Sequence, residues 1–114
     1  MQDQILLVGK DEVLLATRAM ILRRRWSTSV ASPKSAIEKL KAQRPRLLIL
    51  CHTLSDAETD SLVKVCAAQV PAVRTVELIK RFTPGDHLET DATVEVYKGP
   101  ALLLETVENL LAEN

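Results

Sequence analysis

Two kinds of apolar pattern alternate along the chain. Short unbroken runs, ILLVG at 5–9 and LLIL at 47–50, mark strands covered on both faces, since a half-exposed strand would alternate apolar with polar residues. Between and after them, apolar residues recur at spacings of three and four. Leu15, Ala19 and Leu22 share one helical face that closes on Arg23-Arg24-Arg25, cations placed to complement the end of a helix dipole. WSTSVA at 26–31 is β-branched and only modestly apolar, as suits an edge or near-edge strand. Ser32-Pro33 then caps a second helix that turns Ala36, Ile37 and Leu40 inward and stops before Pro45.

The second half repeats the alternation. Ser55 and Glu58 form an S-x-x-E capping box, so a third helix is predicted from about Asp56, burying Leu62, Val63 and Cys66. Pro71 ends that turn and AVRTVELI at 72–79 reads as a fourth strand. Lys80 to Asp91 lacks helical periodicity and carries Pro84-Gly85, so it is read as a loop or at most one short helical turn. ATVEVY at 92–97 alternates as a strand should, and Gly99-Pro100 opens a last helix with Leu103, Val107, Leu110 and Leu111 on one face.

Strands and helices of these lengths in strict alternation imply a parallel sheet with helices on both faces, because each crossover is right-handed and must bury its helix. The predicted class is therefore α/β, a flavodoxin-like, doubly wound, five-stranded sheet of order 2-1-3-4-5. The first strand is expected at its centre. In that topology ligands gather outside the carboxyl ends of strands one and three, where Gly9-Lys10-Asp11 and Cys51-His52 lie.

Composition narrows the picture without redirecting it. At 114 residues the chain is predicted to be one domain spanning 1–114, and 46% hydrophobic with 26% charged residues excludes a disordered chain. Fifteen basic and fifteen acidic residues cancel, which argues against nucleic acid or an anionic membrane as partner. No secretory signal or membrane span is read, so a cytoplasmic location with two reduced cysteines is expected. The run Arg23-Arg24-Arg25-Trp26 is read as a solvated helix end with the indole partly covering the core.

Cys51 beside His52 raises the question of thiol chemistry, with Lys10 or His52 as activator. Adjacent strand residues point to opposite faces, which separates the pair, and a buried inert thiol is the plainer reading. Cys51, His52, Cys66 and His87 match no recognised metal-ligand spacing. Lys10 and Lys98 are expected at one end of the sheet, in structural ion pairs with Asp11 or Asp56 rather than around an anion.

With these residues in place, ILLVGKDEVLL, PRLLILCHTLS, PAVRTVELI and VEVYKGPALLLETVENLL together resemble the receiver domain of bacterial two-component response regulators, over essentially the whole length. The resemblance implies an acidic, Mg²⁺-binding pair at Gly9 and Lys10, with Asp11 the one acid remaining, and a phosphoacceptor aspartate at Cys51. It also implies a hydroxyl switch at Val76 and a basic partner at Lys98. Cys51 and Val76 cannot do the family's chemistry, and neither can a glycine followed by a lysine. The expectation is a degenerate receiver with no Mg²⁺ or other cofactor, not an enzyme, acting by protein–protein contact in phosphorelay signalling. Its partners would be a histidine kinase or another signalling protein, or a second copy as homodimer, with Phe82 and Tyr97 as partner contacts. The family's helix between the fourth and fifth strands is expected to be reduced or replaced by the loop at Pro84-Gly85. The competing readings are a thiol sensor or small enzyme using Cys51, and a phosphorelay receiver with an unconventional acceptor, Asp11 or Asp56.

Overall fold

In the computed structural model, which describes residues 4–80 and 90–112, five strands form one parallel sheet in the order β2-β1-β3-β4-β5. They are β1 (Ile5–Val8), β2 (Thr28–Ala31), β3 (Leu47–Leu50), β4 (Arg74–Ile79) and β5 (Ala92–Glu95). Every pairing is parallel, with Ile5 beside both Thr28 and Leu47. The two unbroken apolar runs are the two strands flanked on both sides by pairs of covering helices. All four residues of each are fully buried. β3 rather than β1 holds the middle of the sheet, because two strands, β4 and β5, follow it on the far side.

Four α-helices cover this sheet among the described residues: α1 (Glu12–Leu22), α2 (Pro33–Gln43), α3 (Asp56–Ala68) and α4 (Pro100–Ala112). Alternate strand residues feed two separate cores. Ile5, Leu7, Leu47 and Ile49 meet α1 and α4 through Leu15, Ala19, Leu22, Leu103 and Val107. Leu6, Val8, Leu48 and Leu50 meet α2 and α3 through Ala36, Leu40, Leu62 and Cys66. Each fully buried Leu or Ile contributes roughly 1.5–3 kcal/mol by leaving water, so the aliphatic runs that predict the strands also hold them together. Cys51 belongs to the first core and Cys66 to the second, so the sheet stands between the two thiols.

The expected caps differ in execution. Asp11 accepts from the Val13 and Leu14 amides at 3.0 and 3.1 Å, and Ser55 with Glu58 makes the reciprocal capping box. Ser32 stands at the start of α2 without a side-chain bond to the helix amides, its hydroxyl meeting Ser35 Oγ at 3.3 Å instead. β5 stops at Glu95 rather than running on to Tyr97. Val96–Lys98 tighten into a 3-10 turn, since Gly99 follows at a φ of 91° that an extended strand does not pass through. The arginine run is engaged at the helix end: Arg23 Nε donates to Thr28 O at 3.0 Å, and Arg25 lies 3.2 Å from Glu108 with its guanidinium 6.0 Å from the Trp26 ring centre. The loop at Pro84-Gly85, His87 and Phe82 lie outside the described residues, as does the Tyr97 side chain.

A clamp fastens the re-entry of the chain into β5. Thr75 donates its amide to Asp91 Oδ2 at 2.8 Å and its hydroxyl to the same oxygen at 3.3 Å, while the Asp91 amide is 3.1 Å from Thr75 O and 3.2 Å from Thr75 Oγ1. Thr75 is only 2% exposed, so removing the carboxylate strands buried donors. Asp91→Ala is expected to cost about 2 kcal/mol, measured by urea unfolding, with amide exchange accelerating first in β5. An Asp91→Ala protein as stable as wild type would show the clamp to be incidental.

Candidate functional site

Parallel strands present their carboxyl ends on one side of the sheet, and the residues just beyond β1 and β3 meet there. The Cys51 amide donates to Val8 O at 2.9 Å and the Gly9 amide to Ala31 O at 3.2 Å, so the ladder continues one step past each strand. At Gly9 a side chain would be crowded. A Cβ placed on it would lie 3.0 Å from Cys51 Cβ, 3.2 Å from Cys51 Sγ and 3.2 Å from Leu15 Cδ2. An acidic side chain would have to start against sulfur and leucine.

Lys10 turns away from this pocket. Its amide donates to Thr53 Oγ1 at 3.0 Å and its Nζ lies 2.8 Å from Glu58 Oε1, the same oxygen that accepts the Ser55 amide at 2.8 Å. Glu58 therefore joins the end of β1 to the start of α3. The Lys10 ammonium, with the Ser55 amide, holds the Glu58 carboxyl below its ordinary value. What this bond adds to stability is present above pH 4.5 and is lost as pH falls through the lowered value. Asp11, expected as a partner for Lys10, caps α1 instead.

Cys51 is 3% exposed, and burial pushes its thiol up; the Arg18 guanidinium beside it pulls the other way and loses. Burial also lowers His52, helped by the charges of Arg18 and Lys80 and opposed by Asp11. Nη1 of Arg18 and Nδ1 of His52 are both closed off from solvent without a hydrogen-bond partner. Arg18 is the site residue that sequence reading passes over. Its signal lies in the spacing: it stands four after Leu14, three after Leu15 and four before Leu22, a charged residue set within the apolar stripe of α1.

Two residues named by the resemblance do not stand at strand ends. Val76 is not at the end of β4: it pairs with Ile49 and is fully buried mid-strand. Because Leu50 pairs with Glu77, the position level with Cys51 is Leu78, equally unable to donate a hydrogen bond. β4 begins at Arg74, two residues later than the strand expected from 72, so Val76 lies within it and not at its end. Lys98 sits three residues beyond β5 on the 3-10 turn, its Nζ 3.4 Å from Glu95 Oε2 and half exposed. Neither lysine pairs with Asp56 or Asp11, because an acid one turn away or across the loop lies closer.

These donors do not fit Mg²⁺, which takes hard oxygen ligands in near-octahedral array. Gly9 brings no side chain, Lys10 brings a cation, Asp11 has one oxygen committed to two helix amides, and Cys51 brings a protonated sulfur. Chemically, this end of the sheet offers a half-buried guanidinium and a neutral-leaning imidazole around a shielded thiol.

No protein-family model matches the sequence. No curated protein matches it either. Solved structures do match. A CheY-like response regulator receiver domain protein from Methanospirillum hungatei superposes with a TM-score of 0.83 at 20% identity, covering 99% of this chain and 96% of its own. The chemotaxis protein CheY4 of Vibrio cholerae gives 0.82 at 14% identity, over 96% and 99%. The signal receiver domain of a signal transduction histidine kinase from Syntrophus aciditrophicus gives 0.81 at 18% identity, over 97% and 91%. At such identities the shared property is architecture, and the architecture is unambiguous: this chain has the response-regulator receiver fold.

Proposed function

We propose that the chain is a receiver-like module of two-component signalling that works through protein–protein contact, without phosphoryl transfer and without turnover. The observation that carries this reading is the packing at Gly9, where Cys51 and Leu15 crowd the point from which a metal-binding carboxylate would start. An acyl phosphate on such a fold needs an acceptor oxygen, a cation to offset its charge and a donor to read it. Cys51, Gly9-Lys10 and Leu78 supply none of the three. The partner class proposed is another signalling protein, a histidine kinase included, since one of the matched folds is the receiver domain of such a kinase. Self-association through the region of Phe82 and Tyr97 is the alternative contact. No helix among the described residues is long and apolar enough to cross a membrane.

The thiol-enzyme reading is weakened by a buried Cys51 whose pKa is raised rather than lowered, and by the commitment of Lys10 to Glu58. Incubating the protein with a small-molecule phosphodonor and Mg²⁺, then weighing it intact, is expected to show unmodified chain at all times. A stable phosphoryl adduct would overturn the proposal, and its location at Asp11 or Asp56 would establish the unconventional acceptor instead.

A further inference from the structure

A furrow of about 190 Å³ runs between α1 and α4 over the ends of β4 and β5. Leu14 and Ile21 form one wall, Leu103 the other, and Leu78 with Val94 the floor. The one charged residue among the described lining is Arg18. Arg18 is half-buried: its Nη1 is shut off from solvent and unpartnered, the guanidinium otherwise reaches the Cys51 thiol, and among the described residues no carboxylate pairs with it. A guanidinium carries five donors in a planar fork that matches a carboxylate edge to edge. Leaving a buried charged donor unpaired costs more than the roughly 1–3 kcal/mol of a neutral one. An otherwise apolar furrow with one cation at its side that no described carboxylate neutralises has the profile of a site for an amphipathic anion.

We propose that this furrow binds a small monocarboxylic acid with an apolar body, its carboxylate paired to Arg18 and its hydrocarbon laid over Leu78 and Val94. The volume equals that of about six waters, which sets a short-chain acid rather than a lipid as the occupant. Bound there, the acid bridges α1 to α4 beside Cys51, so the end of the sheet gains an input that needs neither metal nor phosphoryl group. The inference goes beyond the signalling role and does not depend on it: acid binding and phosphoryl incorporation are read by separate measurements.

The test is isothermal titration of the full chain with hexanoate, hexanol and inorganic phosphate, with methyl NMR to locate the site. Saturable hexanoate binding is expected, with shifts at Leu14, Ile21 and Leu103. Hexanol, phosphate and the Arg18→Met variant should each weaken binding about tenfold or more, the worth of one charge-assisted contact. Should Arg18→Met fail to fold, Ile21→Trp fills the furrow with the charge intact and must abolish hexanoate binding. Equal affinity for hexanol means a merely greasy groove, and equal affinity for phosphate a bare anion site; either overturns the proposal. So do shifts away from the furrow, absence of binding, or tighter binding there by a glutamate-bearing helical peptide than by hexanoate.

Discussion

Gly9→Asp, the change that would put the family's carboxylate back at the end of β1, is expected to destabilise the protein by about 3 kcal/mol and to create no Mg²⁺ dependence. The new Cβ would press on Cys51 Cβ at 3.0 Å, and on Cys51 Sγ and Leu15 Cδ2 at 3.2 Å, so these buried side chains must each give by a few tenths of an ångström within a packed core. Overpacking of this sort costs about 1–3 kcal/mol, and the carboxylate adds the penalty of a charge held beside leucine and a protonated thiol. In a domain of this size the loss lowers the melting temperature by about 15 °C. Gly9→Ala separates the two causes, since it carries the collision without the charge. Thermal unfolding with and without Mg²⁺ measures both, and a Gly9→Asp protein that melts normally, or is raised by Mg²⁺, would refute the packing account.

Neither thiol should react with iodoacetamide at pH 8 until the protein unfolds. Burial, together with the nearby Asp91 carboxylate, pushes Cys66 up to about 12 from 9.0, a roughly thousandfold drop in thiolate before access is considered. Cys51 is also raised, so it should alkylate more slowly than in the denatured chain; a rate equal to or above the denatured one would revive thiol chemistry. The same shift fixes a pH dependence. Above pH 9.0 the unfolded chain loses its Cys66 proton while the folded chain keeps it, so stability is full below that pH and falls until the folded thiol ionises near 12. The effect is of order 4 kcal/mol at its limit. Cys66→Ala should show a shallower alkaline decline, and parallel curves would exclude the assignment.

The elements were legible because β1 and β3 are covered on both faces and each helix on one, which leaves unbroken runs in the first case and three-and-four-spaced apolar residues in the second. Leu47 to Leu50 cannot be read as anything exposed. What the sequence could not convey is whatever depends on register between distant segments. Val76 falls short of the strand end because β4 joins two residues later than the strand expected from 72, and pairing across a sheet leaves no mark in either strand alone. Lys10 finds Glu58 rather than Asp11 because Asp11 is already turned onto the amides of α1. The clamp between Thr75 and Asp91 spans a connection whose closure no local motif announces. Arg18 was visible as a cation in an apolar stripe, but only the fold sets it beside Cys51.

The sheet that divides the two cores has an optical consequence. Trp26, the single tryptophan, packs half-buried against the core formed with α1 and α4, beneath the Arg25 guanidinium, whereas Cys66 is sealed into the core formed with α2 and α3. Indole emission thus reports one half of the molecule and Cys66 alkylation the other. The protein carries a native reporter on each side of its own sheet, able to tell a cooperative opening from one that begins on a single face.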